Sequence, residues 1–224
     1  MILIKRILQS ISKRGMARTF ESFVSVLEDF LFDATYKTDT AGFVQLEDMD
    51  INDEDKKHSI LYQPTRIRHF NNLMKTLDFP ERSVFVDLGS GKGRILLLAS
   101  KFNFKRIIGI EISSSLCEIA RKNIAIYKKH SNSPLSIVVV QSNVLQHDIE
   151  NDENIFYCFR PFDVFVMEKY IRKITNSYQK NPRQIWVIIN ASVYDDLFKK
   201  EPLFHKSLEL SYGGADFVTY VTEQ

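Results

Sequence analysis

Asp87, Gly89, Gly91 and Gly93 fall within one short stretch, Val84-Phe85-Val86-Asp87-Leu88-Gly89-Ser90-Gly91-Lys92-Gly93-Arg94. Glycines at alternate positions let the backbone turn sharply and let a ligand approach with no Cβ in the way, and a following helix start offers unpaired N–H groups. The chemistry this permits is that of a nucleotide-type pocket. A P-loop is excluded, because Lys92 is followed by Gly93 and no Ser or Thr stands ready to hold Mg²⁺. The dinucleotide fingerprint G-x-G-x-x-G is also unmet, since the turn reads G-x-G-x-G. Asp87, two residues before the first glycine, disfavours a pyrophosphate by like-charge repulsion and suits a cationic or hydroxyl-bearing ligand.

A second carboxylate narrows the ligand. Arg106-Ile107-Ile108-Gly109-Ile110-Glu111 is an apolar β-type run ending in an acid 20 residues beyond Gly91. A carboxylate there can take both hydroxyls of a ribose, which specifies an adenosyl group without choosing the cofactor. The combination with Asp87 is what discriminates.

These groups need a scaffold that brings loop ends together, and the chain alternates accordingly. Strands are expected at Val84 to Leu88, at Arg106 to Glu111 and over residues 136–140, 155–159 and 185–189, with a terminal hairpin of 207–212 and 216–222 around Gly213-Gly214-Ala215. Leu96, Leu97 and Leu98 predict a buried helix, Ser115-Leu116-Cys117-Glu118 a capping box before the next, and Val164, Met167, Ile171 and Ile174 a third. Upstream, Thr65 is expected to cap a helix carrying Ile67, Phe70, Met74 and Leu77 inward, with His69 on its surface. The acidic run Glu47 to Asp55 reads as a solvated loop. Its alternative reading is a border to the ligand pocket. Phe20, Phe23, Val24, Leu27, Phe30 and Leu31 sit at helical spacing, as do Ile4, Ile7, Leu8 and Ile11 in a leading segment that is basic and carries no acid. That leading helix is expected to pack on the core, with a membrane surface or a partner as the alternative.

Composition excludes more than it selects. With 30 basic and 28 acidic residues among 224, a net charge of +2 does not point to nucleic acid. Two cysteines and five histidines without ligand spacing argue against a disulfide framework or a metal site. No apolar run is long enough to span a membrane and no signal peptide is evident, so a cytoplasmic protein, membrane-peripheral if the basic helix binds lipid, is the expectation.

Val86-Asp87-Leu88-Gly89-Ser90-Gly91-Lys92-Gly93 followed by Gly109-Ile110-Glu111-Ile112-Ser113 resembles the first two motifs of class I S-adenosylmethionine-dependent methyltransferases. Gln141-Ser142-Asn143-Val144 is similar to the third, and Thr38-Asp39-Thr40-Ala41-Gly42 with Tyr62-Gln63-Pro64-Thr65 to the lead-in of a small bacterial subgroup of undefined substrate. The resemblance implies a Rossmann-like α/β three-layer sandwich, a mostly parallel seven-stranded sheet with an antiparallel C-terminal hairpin and N-terminal helices. It divides the chain into an N-terminal helical cap, 1–79, and a methyltransferase core, 80–224. It also implies roles. Asp87 would stand near the methionine ammonium of S-adenosylmethionine, with Gly89, Ser90, Gly91 and Gly93 around the carboxylate and sulfonium. Glu111 would bind the ribose, Ile112 lie along the adenine, Asn143 accept from its amino group and the Val144 N–H reach a ring nitrogen, with Tyr62 and Thr65 at the mouth.

Phe159-Arg160-Pro161-Phe162 resembles the family's acceptor-side Asn-Pro-Phe or Asn-Pro-Pro-Tyr element, so Arg160, Pro161 and Phe162 are the catalytic candidates. Arg160 replaces an amide by a donor-only cation. It either binds an anionic acceptor or pairs with an acid of the fold, the second being favoured. The expected activity is in-line methyl transfer to an unidentified nitrogen or oxygen nucleophile on a small molecule or protein. Its alternatives are an inactive cofactor-binding interaction module and, last, a nicotinamide oxidoreductase.

Overall fold

The computed structural model describes residues 16–131, 136–190, 192–212 and 215–223. The basic leading segment and the two glycines of the C-terminal turn lie outside these residues. Seven strands form one sheet: β1 (Val84–Leu88), β2 (Arg106–Glu111), β3 (Ile137–Gln141), β4 (Glu153–Cys158), β5 (Trp186–Asn190), β6 (Phe204–Tyr212) and β7 (Ala215–Thr222). The described helices are α1 (Met16–Tyr36), α2 (Asp53–His58), α3 (Ile67–Thr76), α4 (Arg94–Ala99), α5 (Ser114–Ser131), α6 (Val164–Lys180) and α7 (Asp195–Phe198).

Strand order is β3-β2-β1-β4-β5-β7-β6, parallel from β3 to β5 and antiparallel at both β7 pairings. This is the expected mostly parallel seven-stranded sheet. Every residue of β1 is buried, as a central strand covered on both faces requires. Its side chains alternate between two apolar layers. Phe85 points to Phe70 and Leu73 of α3, Leu96 to Leu98 of α4 and Ala120 of α5, while Val84 and Val86 join Met167, Tyr170, Ile171 and Ile174 of α6. Each such large side chain contributes about 1.5–3 kcal/mol by leaving water. The chain winds outward from β1 to β3 and then returns to β4 on the other side, so connections diverge between β1 and β4. A crevice at the carboxyl ends of the strands follows from that reversal.

Several local expectations are corrected. Helix α5 begins at Ser114, and Ser113 caps it by accepting from the Leu116 N–H at 3.2 Å, so Ser115 is not the cap. Thr65 does not cap α3. Its hydroxyl bonds the Tyr157 hydroxyl at 2.9 Å, and Asp29 of α1 accepts from the Ile67 N–H instead. His69, expected on the surface, is 7% exposed. On α1, Leu27, Phe30 and Leu31 lie exposed and Asp29 with Phe32 turns inward. The cause is Arg94 at the start of α4. It is 1% exposed, pairs with Asp29 at 3.1 Å and Asp33 at 3.8 Å, and donates through Nε to Thr40 Oγ1 at 2.8 Å. A buried guanidinium demands carboxylates, and α1 rolls to supply them.

Residues 37–63 form a strap across the crevice. The acidic run within it is largely exposed, as expected, but it is tied down and ends in α2 instead of running as a free loop. Asp50 reaches the N-terminus of α5 and accepts from Ser113, Ser114 and Ser115, which holds its carboxyl far below the ordinary range. Asn52 caps α2 by accepting from the Asp55 N–H at 2.8 Å. The strap then pairs Val44 with Tyr62 and Ser59 with Phe162, and the Ile60 N–H donates to Pro161 O at 2.9 Å.

Candidate functional site

The turn after β1 takes its shape from its glycines. Gly89, Gly91 and Gly93 have φ of +77°, +52° and +83°, the left-handed region that L side chains avoid. Space reinforces this at the first two. A Cβ on Gly89 would stand 2.3 Å from Pro161 Cβ, and one on Gly91 2.0 Å from the Tyr62 ring. Proline after β4 and tyrosine from the strap therefore both close on the glycine turn. Gly93 serves as the N-cap residue of α4.

The two carboxylates lie at the ends of β1 and β2. Asp87 is 3% exposed. Burial pushes its carboxyl well above the ordinary range, the neighbouring Glu111 charge adds to this, and no hydrogen bond from a described residue offsets it. Glu111 is raised by burial too, opposed by three N–H donors: Gly91 at 2.8 Å on one oxygen, Ile112 at 2.9 Å and Ser113 at 3.0 Å on the other. Removing such groups from water costs several kcal/mol each unless a counter-charge arrives. A buried acceptor without a donor fits a cationic ligand, while Pro161 and Tyr62 occupy the space over the glycine turn beside it.

A cavity of about 270 Å³ opens where the strands end. Its wall includes Gly89, Glu111, Ile112, Asn143, Val144, Tyr62, Pro161 and Phe162 of the expected site residues. Asp87, Ser90, Gly91, Gly93 and Thr65 are not on the wall. Asp87 and Ser90 lie buried behind the turn, and Tyr62 covers Gly91, donating its hydroxyl to Thr40 O at 3.0 Å. Asn143 is engaged on both atoms: Nδ2 donates to Asp55 of the strap at 2.8 Å, and Oδ1 accepts from the Leu145 N–H at 2.9 Å.

Arg160 departs from its expected pairing. It is exposed with φ +51°, forms no ion pair with a described residue and does not line the cavity. The left-handed turn that seats Pro161 under Gly89 throws the guanidinium outward. In its place the structure brings His58 to the wall. His58 Nδ1 lies 2.7 Å from Asp163 Oδ2, and the other oxygen of Asp163 caps α6 by accepting from the Val166 N–H at 3.0 Å. Burial raises the Asp163 carboxyl, but these two bonds outweigh it and hold it below its ordinary value. Phe165 stacks on the His58 ring at 5.0 Å and carries Lys169 Nζ at 3.9 Å from its centroid. With Nδ1 protonated toward Asp163, Nε2 presents a lone pair, the arrangement of an oriented base. His58, Asp55 and Asp163 escaped sequence reasoning because their partners are remote in the chain. The N-cap signature Asn52-Asp53-Glu54-Asp55 was the one local signal that a helix, not a loop, presents Asp55 and His58.

Residues 43–172, more than half of the chain, match the family profile described as histone methylation protein DOT1. No curated protein matches the chain. Among solved structures it is similar to an RNA methyltransferase from Salinibacter ruber in complex with S-adenosyl-L-homocysteine, with TM-score 0.55 and 22% identity over 71% of this chain and 94% of that one. It is also similar to a ribosomal protein L11 methylase from Lactobacillus delbrueckii subsp. bulgaricus, with TM-score 0.54 and 16% identity over 73% and 81%. A SAM-dependent methyltransferase from Aquifex aeolicus aligns with TM-score 0.53 and 11% identity over 69% and 89%. The glycine turn, the carboxylates at the ends of β1 and β2 and the crevice at the strand reversal are thus explained together: the chain belongs to the DOT1 methyltransferase family and has the class I S-adenosylmethionine-dependent methyltransferase fold.

Proposed function

We propose that this protein transfers a methyl group from S-adenosylmethionine, in line, to a nitrogen or oxygen nucleophile. The observation that carries this reading is the pairing of Asp87 and Glu111 at adjacent strand ends beside a turn that only glycine can form. In this reading Asp87 faces the ammonium of the cofactor, the Gly89 backbone its methionine portion, Glu111 its ribose, and Ile112 and Val144 its base. The cofactor supplies an activated methyl on a sulfonium, so the protein's task is alignment and exclusion of water. Phe159, Pro161 and Phe162 wall the cavity on the β4 side, and the oriented imidazole of His58 is positioned to receive a proton from the acceptor.

The acceptor class to test first is a protein amine, because the family's description is of histone methylation. Two measurements test the reading. Calorimetry should find binding of S-adenosylhomocysteine, weakened by about 1–3 kcal/mol in Asp87→Ala or Glu111→Ala, the worth of hydrogen bonds to charged groups. Incubation with methyl-labelled cofactor and the cell extract should then label the protein fraction in preference to RNA, lipid or metabolites. Binding of NAD in place of S-adenosylhomocysteine would overturn the reading, and label in no fraction would reduce it to a binding module.

A further inference from the structure

The cofactor reading leaves one recognition problem open on the cavity wall. Adenine presents an exocyclic amino group, a donor that needs an acceptor when it leaves water. The residue expected to accept is Asn143, whose neutral Oδ1 already takes one bond and keeps a single lone pair. Oδ1 receives the Leu145 N–H at 2.9 Å, which fixes the amide so that Nδ2, a donor, faces the strap. A donor cannot satisfy a donor. What Nδ2 meets is the carboxylate of Asp55, at 2.8 Å, and Asp55 itself lines the cavity.

Asp55 has the properties such an acceptor needs. Its Oδ1 takes one bond from Asn143 and its Oδ2 one from Asn52 Nδ2 at 2.7 Å, so each oxygen keeps a further lone pair. No lysine or arginine among the described residues forms an ion pair with it. Its position is set from both sides, by the Asn52 cap of α2 and by Asn143 of the core, while the strap around it is anchored through Asp50 on α5 and His58 on Asp163. Glu54, the other acid on this part of the wall, is exposed and engaged with Lys57 at 2.6 Å.

Resting on the cofactor assignment above, we propose that Asp55 is the acceptor for the adenine 6-amino group, with Asn143 as the positioning residue that aims it. The core loop after β3 thus reads the base through a carboxylate carried by the strap. The same carboxylate ties the strap to Asn143 and meets the ligand, so the strap takes part in cofactor recognition. A 6-oxo purine presents an acceptor to this carboxylate and is rejected, as a site built to receive a donor rejects the analogue that lacks it.

Calorimetric titration of the full chain with S-adenosylhomocysteine and with S-inosylhomocysteine tests this without reference to the methyl acceptor. The wild-type protein should prefer the adenosyl compound by about tenfold or more, the worth of a hydrogen bond to a charged group. Asp55→Ala should weaken adenosyl binding and leave inosyl binding unchanged or stronger, bringing the ratio to within about threefold. Asp55→Asn, which keeps the side-chain volume and can offer a donor to the 6-oxo group, should shift the ratio further toward the inosyl compound and serves if the alanine variant does not fold. Asn143→Ala should reduce the ratio in part, and Glu54→Gln should retain the wild-type ratio. A wild-type ratio in both Asp55 variants, lost only in Asn143→Ala, would overturn the proposal in favour of direct readout by Asn143. Binding of neither compound to the wild-type protein would overturn the cofactor assignment itself, and the proposal with it.

Discussion

Gly91→Ala offers the sharpest test of how the strap and the glycine turn are fitted together. At φ +52° an alanine pays roughly 1–2 kcal/mol for the left-handed backbone alone. The added Cβ would lie 2.0 Å from Tyr62 Cε2 and 2.2 Å from Cδ2. The ring cannot simply retreat. Its backbone pairs with Val44, and its hydroxyl donates to Thr40 O at 3.0 Å. Overpacking of this kind costs about 1–3 kcal/mol, so the total loss is about 2–5 kcal/mol. For a chain of this size that is a fall in Tm of about 4–20 °C. Urea unfolding of Gly91→Ala, Tyr62→Ala and the double variant separates the two parts. Removing the ring abolishes the clash and leaves the backbone strain, so the two substitutions should couple by about 1–3 kcal/mol. Additivity within about 0.5 kcal/mol would refute the reasoning, because it would mean that the ring yields freely and does not press on the turn.

Three further outcomes follow from buried charge. Arg94→Met should cost about 1–3 kcal/mol in urea unfolding, since it takes the counter-charge from Asp33 and leaves Asp29 with Arg66 alone, and a loss below about 0.5 kcal/mol would contradict the stapling of α1 to α4. For Asp87 the sign runs toward acid. Its raised folded pKa means that its contribution to stability is complete below the unfolded value of about 3.9 and is lost as pH rises through the folded value, so Asp87→Asn should flatten that decline. An ammonium bound beside Asp87 favours its ionised form, so binding of S-adenosylhomocysteine should release a proton and tighten with rising pH. Titrations in two buffers of different ionisation heat measure that proton, which belongs to the Asp87 and Glu111 pair as a unit, and equal heats would contradict it.

What could be read from the chain alone was whatever nearest neighbours decide. The near-continuous apolar run Val84 to Leu88 made β1, and glycine at positions 89, 91 and 93 made the turn. The spacing to Glu111 set two carboxylates at adjacent strand ends. Each of these rests on backbone geometry or on side chains within a few residues. The remainder of the site was decided by contacts across the chain. Whether Asp29 or Leu27 of α1 faces inward depended on Arg94, 65 positions beyond Asp29, because a buried guanidinium outweighs an apolar stripe. Whether the acidic run was solvent or cavity wall depended on Ser113, Asn143 and Asp163, none of them local to it. Hydrophobic period and turn chemistry are written into consecutive residues, whereas the pairing of charges and hydrogen-bond donors is settled only when the fold brings distant groups within 3 Å. The glycine turn was therefore legible from the start, and the strap that closes on it, with Asp55 and His58, was visible only in three dimensions.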